Sequence, residues 1–262
     1  MQLTRDILKR SFWALPMSEV LDVLATSRNG LTDEAAEERQ QVFGKNALPH
    51  AARLTKLRIL LRQLKSPLLL LLSVAAAITF FLQDYKDALV ILAAVIANVG
   101  LGFYQENKAE ATLADLKIYI KDRARVLRNG QEKEIDAAEL APGDIIHISQ
   151  GDRVPADARL IYINDLFIDE SALTGESLPT QKTTEPAGFK APLADRRSMA
   201  FSGTLVVQGF ANAVVCSTGL ATEFGKIANF VAASEKETTP LQRAMFSFTL
   251  RVGFFVLLIT AL

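Results

Sequence analysis

Two stretches of the chain carry no charge: residues 66–82, SPLLLLLSVAAAITFFL, and residues 88–104, ALVILAAVIANVGLGFY. Both are apolar on every side, unlike a helix that lies with one face on a soluble core. Each is near the lower end of the roughly 17–25 residues that a membrane helix needs. Only QDYKD separates them, so the pattern predicts a transmembrane helical hairpin with spans at about 66–82 and 88–104. Lys65 and Asp84 border the first run and can snorkel, so the runs fix the centres of the spans better than their ends. A third apolar run, FFVLLITAL at 254–262, has the composition of the first half of another span.

The flanks predict an orientation. Arg53, Lys56, Arg58, Arg62 and Lys65 precede the hairpin, and Lys108, Lys117, Lys121, Arg123, Arg125 and Arg128 follow it. The short connection holds only Lys86, between Asp84 and Asp87. The positive-inside bias therefore puts both long ends in the cytoplasm. Beyond the second run, residues 105–120 contain neither Gly nor Pro, and Ala109, Leu113, Leu116 and Ile120 keep helical spacing. Two readings fit: one helix of roughly 50 Å that carries the span into the cytoplasm as a stalk, or a separate amphipathic helix after a kink.

The remaining segments alternate as soluble elements do. Residues 18–49 predict two short helices, the first between an N-cap at Ser18 and a stop at Gly30, the second framed by Thr32 and Gly44 with Pro49 beyond. From 124 onward the period shortens to two. ARVLRNGQEKEI predicts a hairpin around Asn129-Gly130. PGDIIHIS, ARLIYI and LFIDESAL continue the β pattern, and MAFSGTLVVQGFANAVVCS predicts two strands turning near Gln208-Gly209. Thr222 is placed to cap a helix through Ala233, with Phe224, Ile227 and Val231 on one face. The whole reads as an α+β membrane protein: a helical hairpin plus an all-β unit, a small sandwich or distorted barrel with flanking helices. A domain joined to spans at both ends can exert force on them or feel it.

Composition narrows the chemistry. Of 262 residues, half are hydrophobic and 22% charged, so the two populations are segregated along the chain. With 29 basic and 29 acidic residues the net charge is zero, which points away from a nucleic-acid partner. The lone Cys216 excludes an internal disulfide, and two distant histidines, His50 and His147, make no metal cluster. The N-terminus lacks the apolar run of a signal peptide. GLATEFGKI at 219–227 has five residues between its glycines, not the four of a phosphate-binding loop, and Ile227 where Ser or Thr would hold Mg²⁺. A capped helix explains it better, and the neighbouring carboxylates Asp169 and Glu170 read as solvated turn residues.

One loop offers chemistry. In DESALTGESLP (169–179), Gly175 lets the backbone turn tightly and approach another surface. Thr174 and Ser177 supply hydroxyls. Glu176 is a carboxylate on an exposed tip, with the reach to polarise a water as a general base.

TGES stands beside PGDI (142–145), GDRVPAD (151–157), FSGT (201–204), TEFGKI (222–227) and TPLQ (239–242). In that order they resemble the P-type cation-transporting ATPases. GLTDEAAEERQQVFGKNALP (30–49) resembles that family's N-terminal cytoplasmic region, and YQENKAE (104–110) the end of its second membrane helix. The resemblance runs from about residue 13 to the end of the chain. It implies four parts: an N-terminal cytoplasmic helical region at 1–56, the transmembrane hairpin and stalk at 57–120, a distorted, jelly-roll-like actuator β domain at 121–240, and the start of a third transmembrane helix at 241–262. It also implies that Glu176, with Thr174, Gly175 and Ser177, hydrolyses an aspartyl phosphate formed elsewhere, while rotation of the domain works the membrane pathway. ATP and Mg²⁺ are implied for the complete pump, and no cofactor or metal is expected on this segment.

The expected partners are the lipid bilayer, the phosphorylation and nucleotide-binding domains, and the transported cation. Neither Cys-x-x-Cys nor Cys-Pro-Cys occurs, so the spelling lies nearer the calcium-pump-like branch than the heavy-metal pumps. Calcium is the first cation expected, with magnesium, sodium or protons open. The expected location is the cell membrane, as a multi-pass protein with cytoplasmic soluble domains. No Asp-Lys-Thr occurs, so this chain alone is expected to be catalytically incomplete: a truncated chain, a gene fragment or one part of a split pump. The alternative is a membrane-anchored regulatory or interaction fragment without catalysis.

Overall fold

The computed structural model describes residues 7, 10–47, 67–118, 123–233 and 240–260. It divides into two compact units, one of residues 1–50 and 121–234, the other of 51–120 and 235–262.

Among the described residues of the first unit, seven strands form one antiparallel sheet: β1 (Arg123–Arg128), β2 (Gln131–Asp136), β3 (Ile145–Ser149), β4 (Asp157–Asp169), β5 (Thr180–Gln181), β6 (Met199–Ala200) and β7 (Leu205–Ser217). Their order is β2-β1-β3-β7-β4-β5, with β6 also on β4. The β1–β2 turn is the one Asn129-Gly130 predicts: both residues have positive φ, 53° and 71°, which matches the right-handed twist of the strands.

The long strands differ from expectation. The two segments read around residue 165 are one strand, β4, and the two read around Gly209 are one strand, β7. They pair from Asp157–Ser217 to Asp169–Leu205 with several register shifts, one of them, between Asn164 and Phe167, opposite the turn expected near Gln208-Gly209. Asp165 (φ 46°) and Gly209 (φ 77°) lie at that irregularity. A Cβ on Gly209 would collide with the Asn164 carbonyl oxygen, so glycine is needed there for close approach within a bulge, not for a chain reversal.

Two apolar clusters sandwich the sheet. Val126, Ile146, Ile148, Leu160, Ile168, Val206 and Val215 fill one. The other joins Ile145, Met199, Phe201, Val214 and Cys216 to Phe12, Val20 and Leu24 of the N-terminal segment. Covering both faces explains why β7 ends in a continuous buried run, Ala213 to Ser217, where a half-exposed strand would alternate.

The N-terminal segment holds α1 (Met17–Val23) and α2 (Asp33–Phe43). Thr32 caps α2 by accepting from the Ala35 amide at 3.2 Å, and Gly44 (φ 87°) ends it, as predicted. The α1 expectation is corrected at both ends. Pro16 is its N-cap and Ser18 lies inside it, which fits the fixed φ of proline at a helix start. The helix stops at Val23, and Gly30 instead packs so close to β1 that a Cβ would overlap the Leu127 carbonyl.

Most of the recognisable motifs are joints between segments. Asp144 of PGDI is buried, accepts from Arg128 Nε (2.8 Å) and Nη2 (2.7 Å), and also takes the Ala141 amide. Arg39 of α2 donates to the carbonyls of Pro142 (2.6 Å) and Ala25 (2.8 Å). Asn46 donates to Ala137 and Pro155 carbonyls and accepts from the Gly219 amide, tying three loops together.

The second unit holds α3 (Pro67–Phe81), α4 (Tyr85–Ile118) and α7 (Pro240–Thr260). Residues 82–84 turn the chain between α3 and α4, which pack on each other. Of the two readings for 105–120, the unbroken one is seen: α4 runs 34 residues, about 50 Å at 1.5 Å per residue. Its stretch Tyr85–Lys108 is long and apolar enough to cross a membrane. Leu89, Val90, Ile96 and Leu101 on it are more than half exposed.

Candidate functional site

β4 ends at Asp169, and the chain then folds into a single helical turn, α5 (Ser171–Thr174), before returning as β5. Local hydrogen bonds build this turn. The Asp169 carboxylate accepts the Ser171 amide at 2.9 Å, and bonding first to the Ser171 hydroxyl and then to that amide holds Asp169 below the usual carboxylate range. The Glu170 carbonyl accepts from the amides of Leu173 and Thr174 and from Thr174 Oγ1.

Gly175 then adopts the left-handed conformation (φ 77°, ψ 0°) and donates to the Ser171 carbonyl. A Cβ there would meet nothing within 4 Å, so the glycine answers to the backbone angle and leaves the tip thin. The Glu176 amide donates to Thr174 Oγ1 at 3.2 Å. Of the residues expected to act, Thr174 and Glu176 are thus joined by a bond, Gly175 is the pivot between them, and Ser177 follows on the exposed tip. Glu176 is exposed, and beside it Leu178 is 80% exposed, an apolar side chain with no core of its own.

One expectation for this loop is corrected. Asp169 sits at the surface, but Glu170 is buried and pairs with Lys182 Nζ at 2.5 Å, the two side chains being 1% and 0% exposed. Lys182 also lies over the Phe201 ring, 5.6 Å from its centre, which draws FSGT under the loop. Burial pushes Glu170 up and Lys182 down, each opposed by the charge of the other, and Glu176 adds a further upward push on Glu170. Nothing local in DESAL marks Glu170 as internal. Its partner arrives from the far side of the loop, through β4–β5 pairing of Ile168 with Thr180.

Asp157, the last residue of GDRVPAD, ties the two remaining motifs. Its carboxylate accepts the Ser202 amide of FSGT and the Glu223 amide that opens α6 (Glu223–Ala233), both at 2.8 Å. Thr222 Oγ1 accepts the Gly225 amide at 2.9 Å, so the predicted cap of α6 is present. Its covered side falls on Phe224, Gly225 and Ala228, whereas Ile227, expected on that face, is 47% exposed. With the Asp157 carboxylate on the Glu223 amide and Thr222 Oγ1 on the Gly225 amide, the described residues here do not fit a nucleotide phosphate, which would need the same donors.

Burial raises Asp157 to about 6 from 3.8. A raised carboxyl pKa means that the folded state holds a proton the unfolded chain has lost between about pH 4 and pH 6, so stability falls as pH rises through that window. The unfolding free energy of the wild type minus that of Asp157→Asn should therefore decline by on the order of 3 kcal/mol across the window and level off above it. Denaturant titrations at several pH values check this, and a flat difference would contradict it.

Comparison with known proteins converges on the same segments. Residues 118–232 match the family model described as the P-type ATPase actuator domain, and residues 12–79 match the cation transporter/ATPase N-terminus. The probable cation-transporting ATPase F of Mycobacterium tuberculosis (strain ATCC 25618 / H37Rv) is 42% identical over 228 residues, 87% of this chain and 25% of that protein. The cation-transporting ATPase pma1 of Synechocystis sp. is 39% identical over 90% of this chain and 26% of its own length. The calcium-transporting ATPase of Bacillus subtilis is 38% identical over 89% and 26%. The chain spans about a quarter of the length of these curated relatives. It belongs to the P-type cation-transporting ATPases, and what it holds of such a pump is the N-terminal region and the actuator domain.

Proposed function

We propose that this chain serves as the dephosphorylating and membrane-coupling part of an ATP-driven cation pump, with Glu176 as its catalytic base. The observation that carries the reading is the turn itself: one exposed carboxylate on a thin tip, beyond a left-handed glycine and with its amide fixed by Thr174. Delivered to an aspartyl phosphate on another domain, Glu176 accepts a proton from a water whose oxygen attacks phosphorus. The bond from phosphorus to the aspartyl oxygen breaks, the aspartate leaves as carboxylate, and inorganic phosphate departs. Thr174 and Gly175 shape the tip, and Ser177 offers a hydroxyl beside it.

The second unit is read as the membrane part, with α3 and α4 as a transmembrane hairpin, α4 continuing as a cytoplasmic stalk, and α7 as the start of a third span. Their exposed apolar side chains and the basic flanks support this, with the soluble segments cytoplasmic and the cell membrane as the site. The division at 1–56, 57–120, 121–240 and 241–262 follows from it. ATP and Mg²⁺ belong to the phosphorylation and nucleotide-binding domains of the complete pump, with which this segment works. Calcium is the proposed cargo, since relatives from Bacillus subtilis and Lactococcus lactis carry calcium transport in their names.

The test is phosphorylation of the complete pump by ATP. Added calcium should produce an acid-stable phosphoenzyme that magnesium or sodium alone does not. No phosphoenzyme with any cation would favour a membrane-anchored regulatory protein without catalysis.

A further inference from the structure

We propose that the buried Glu170–Lys182 ion pair is a clamp across the base of the Thr174–Ser177 turn, and that both are positioning residues for the reaction of Glu176. The inference rests on the function proposed above and adds two residues to it.

Three observations converge. The pair closes the loop, Glu170 lying where the chain leaves β4 and Lys182 just after β5. The strand pairing at this neck is short, only Phe167 with Gln181 and Ile168 with Thr180. The pair therefore adds a directional bond where the ladder is two residue pairs long. Second, Glu170 is tied to the turn through its backbone. Its carbonyl takes three donors, the amides of Leu173 and Thr174 and Thr174 Oγ1, and that same Oγ1 then takes the Glu176 amide. Fixing Glu170 thus fixes the chain of bonds that ends at the backbone amide of Glu176, from which the catalytic carboxylate projects.

Third, the pair is costly as a mere filler. Both side chains are essentially sealed from solvent, and Glu170 Oε2 has no hydrogen-bond partner among the described residues. Burial opposes both charges. Well-packed apolar residues of similar size usually serve stability as well or better. A directional contact at a functional loop is what such a pair supplies and an apolar one does not.

The test is the double variant Glu170→Met/Lys182→Met, which removes the bond without leaving an unpaired buried charge. A single Glu170→Ala would strand Lys182 and unfold the region instead. In the full chain in detergent, the thermal midpoint should stay at or above that of the wild type, while amide exchange at Thr174, Gly175 and Glu176 quickens about tenfold. In the complete pump the same variant should form phosphoenzyme at the normal rate and lose it about tenfold more slowly.

Wild-type exchange at the turn would overturn the clamp. Faster exchange with wild-type phosphoenzyme decay would overturn its part in the reaction. Glu176→Ala, measured in parallel, separates this from the underlying reading. If that variant keeps wild-type decay, the catalytic assignment fails, while the exchange data still decide whether the pair holds the turn.

Discussion

Asp144→Ala is expected to destabilise the β unit by about 3–5 kcal/mol, the range found when one partner of a buried ion pair is removed. Asp144 is wholly buried and takes two bonds from Arg128 and one from the Ala141 amide. Without it the Arg128 guanidinium stays inside, 7% exposed, with the Glu139 carbonyl as its remaining acceptor among the described residues. For a unit of this size the loss should lower the thermal midpoint by roughly 10 °C. Replacing both residues by apolar ones should cost much less than the sum of the single changes, because no charge is then stranded. The Arg123–Glu134 pair is the internal control. Its atoms stand 3.7 Å apart with both side chains more than half exposed, and its removal should leave the midpoint where it was. Circular dichroism melts of the four variants suffice. A single-variant midpoint close to that of the wild type would contradict the role assigned to PGDI.

That role was not visible from spelling. PGDI and FSGT stand among the motifs that carry the family resemblance, and their polar atoms go to joining strands and loops: Asp144 to Arg128, and the Ser202 amide to Asp157. What the sequence did show were features set by a few adjacent residues. Asn129-Gly130 forces a hairpin, Thr32 and Gly44 bracket a helix, and Thr222 caps another. Where the outcome depends on distant partners the reading failed or stayed open. A glycine within alternating hydrophobics fits a turn or a bulge equally. Gly209 became a bulge because β4 runs beside it over its whole length. Ser18 is a good cap by type, but Pro16 already starts the helix two residues earlier. Glu170 is spelled like any solvated turn carboxylate, and only the return of Lys182 across the loop buries it. The exposed tip itself was legible, because its left-handed Gly175 and the Thr174–Glu176 bond lie within four adjacent residues.

The largest expected effect lies at that tip. Glu176→Ala removes the one carboxylate of the turn while leaving the Glu176 amide, the Thr174 bond and the left-handed Gly175 untouched. The change is at the surface, so folding should be preserved. In the complete pump, loss of a general base should slow the chemical step by about 10²–10⁴-fold. Formation of the phosphoenzyme uses other groups and should proceed as before. Glu176→Gln sharpens the distinction: its amide oxygen can still hold a water in place but cannot take its proton. A base therefore predicts that Gln is nearly as slow as Ala, and a residue that only orients water predicts that Gln restores most of the rate.

The most direct measurement is the decay of radiolabelled phosphoenzyme after a chase with unlabelled ATP, in the complete pump carrying Glu176→Gln. Labelling at the wild-type rate, followed by decay about 10²–10⁴-fold slower, is the expected result. Decay within twofold of the wild type would contradict the assignment of Glu176 as the hydrolytic base.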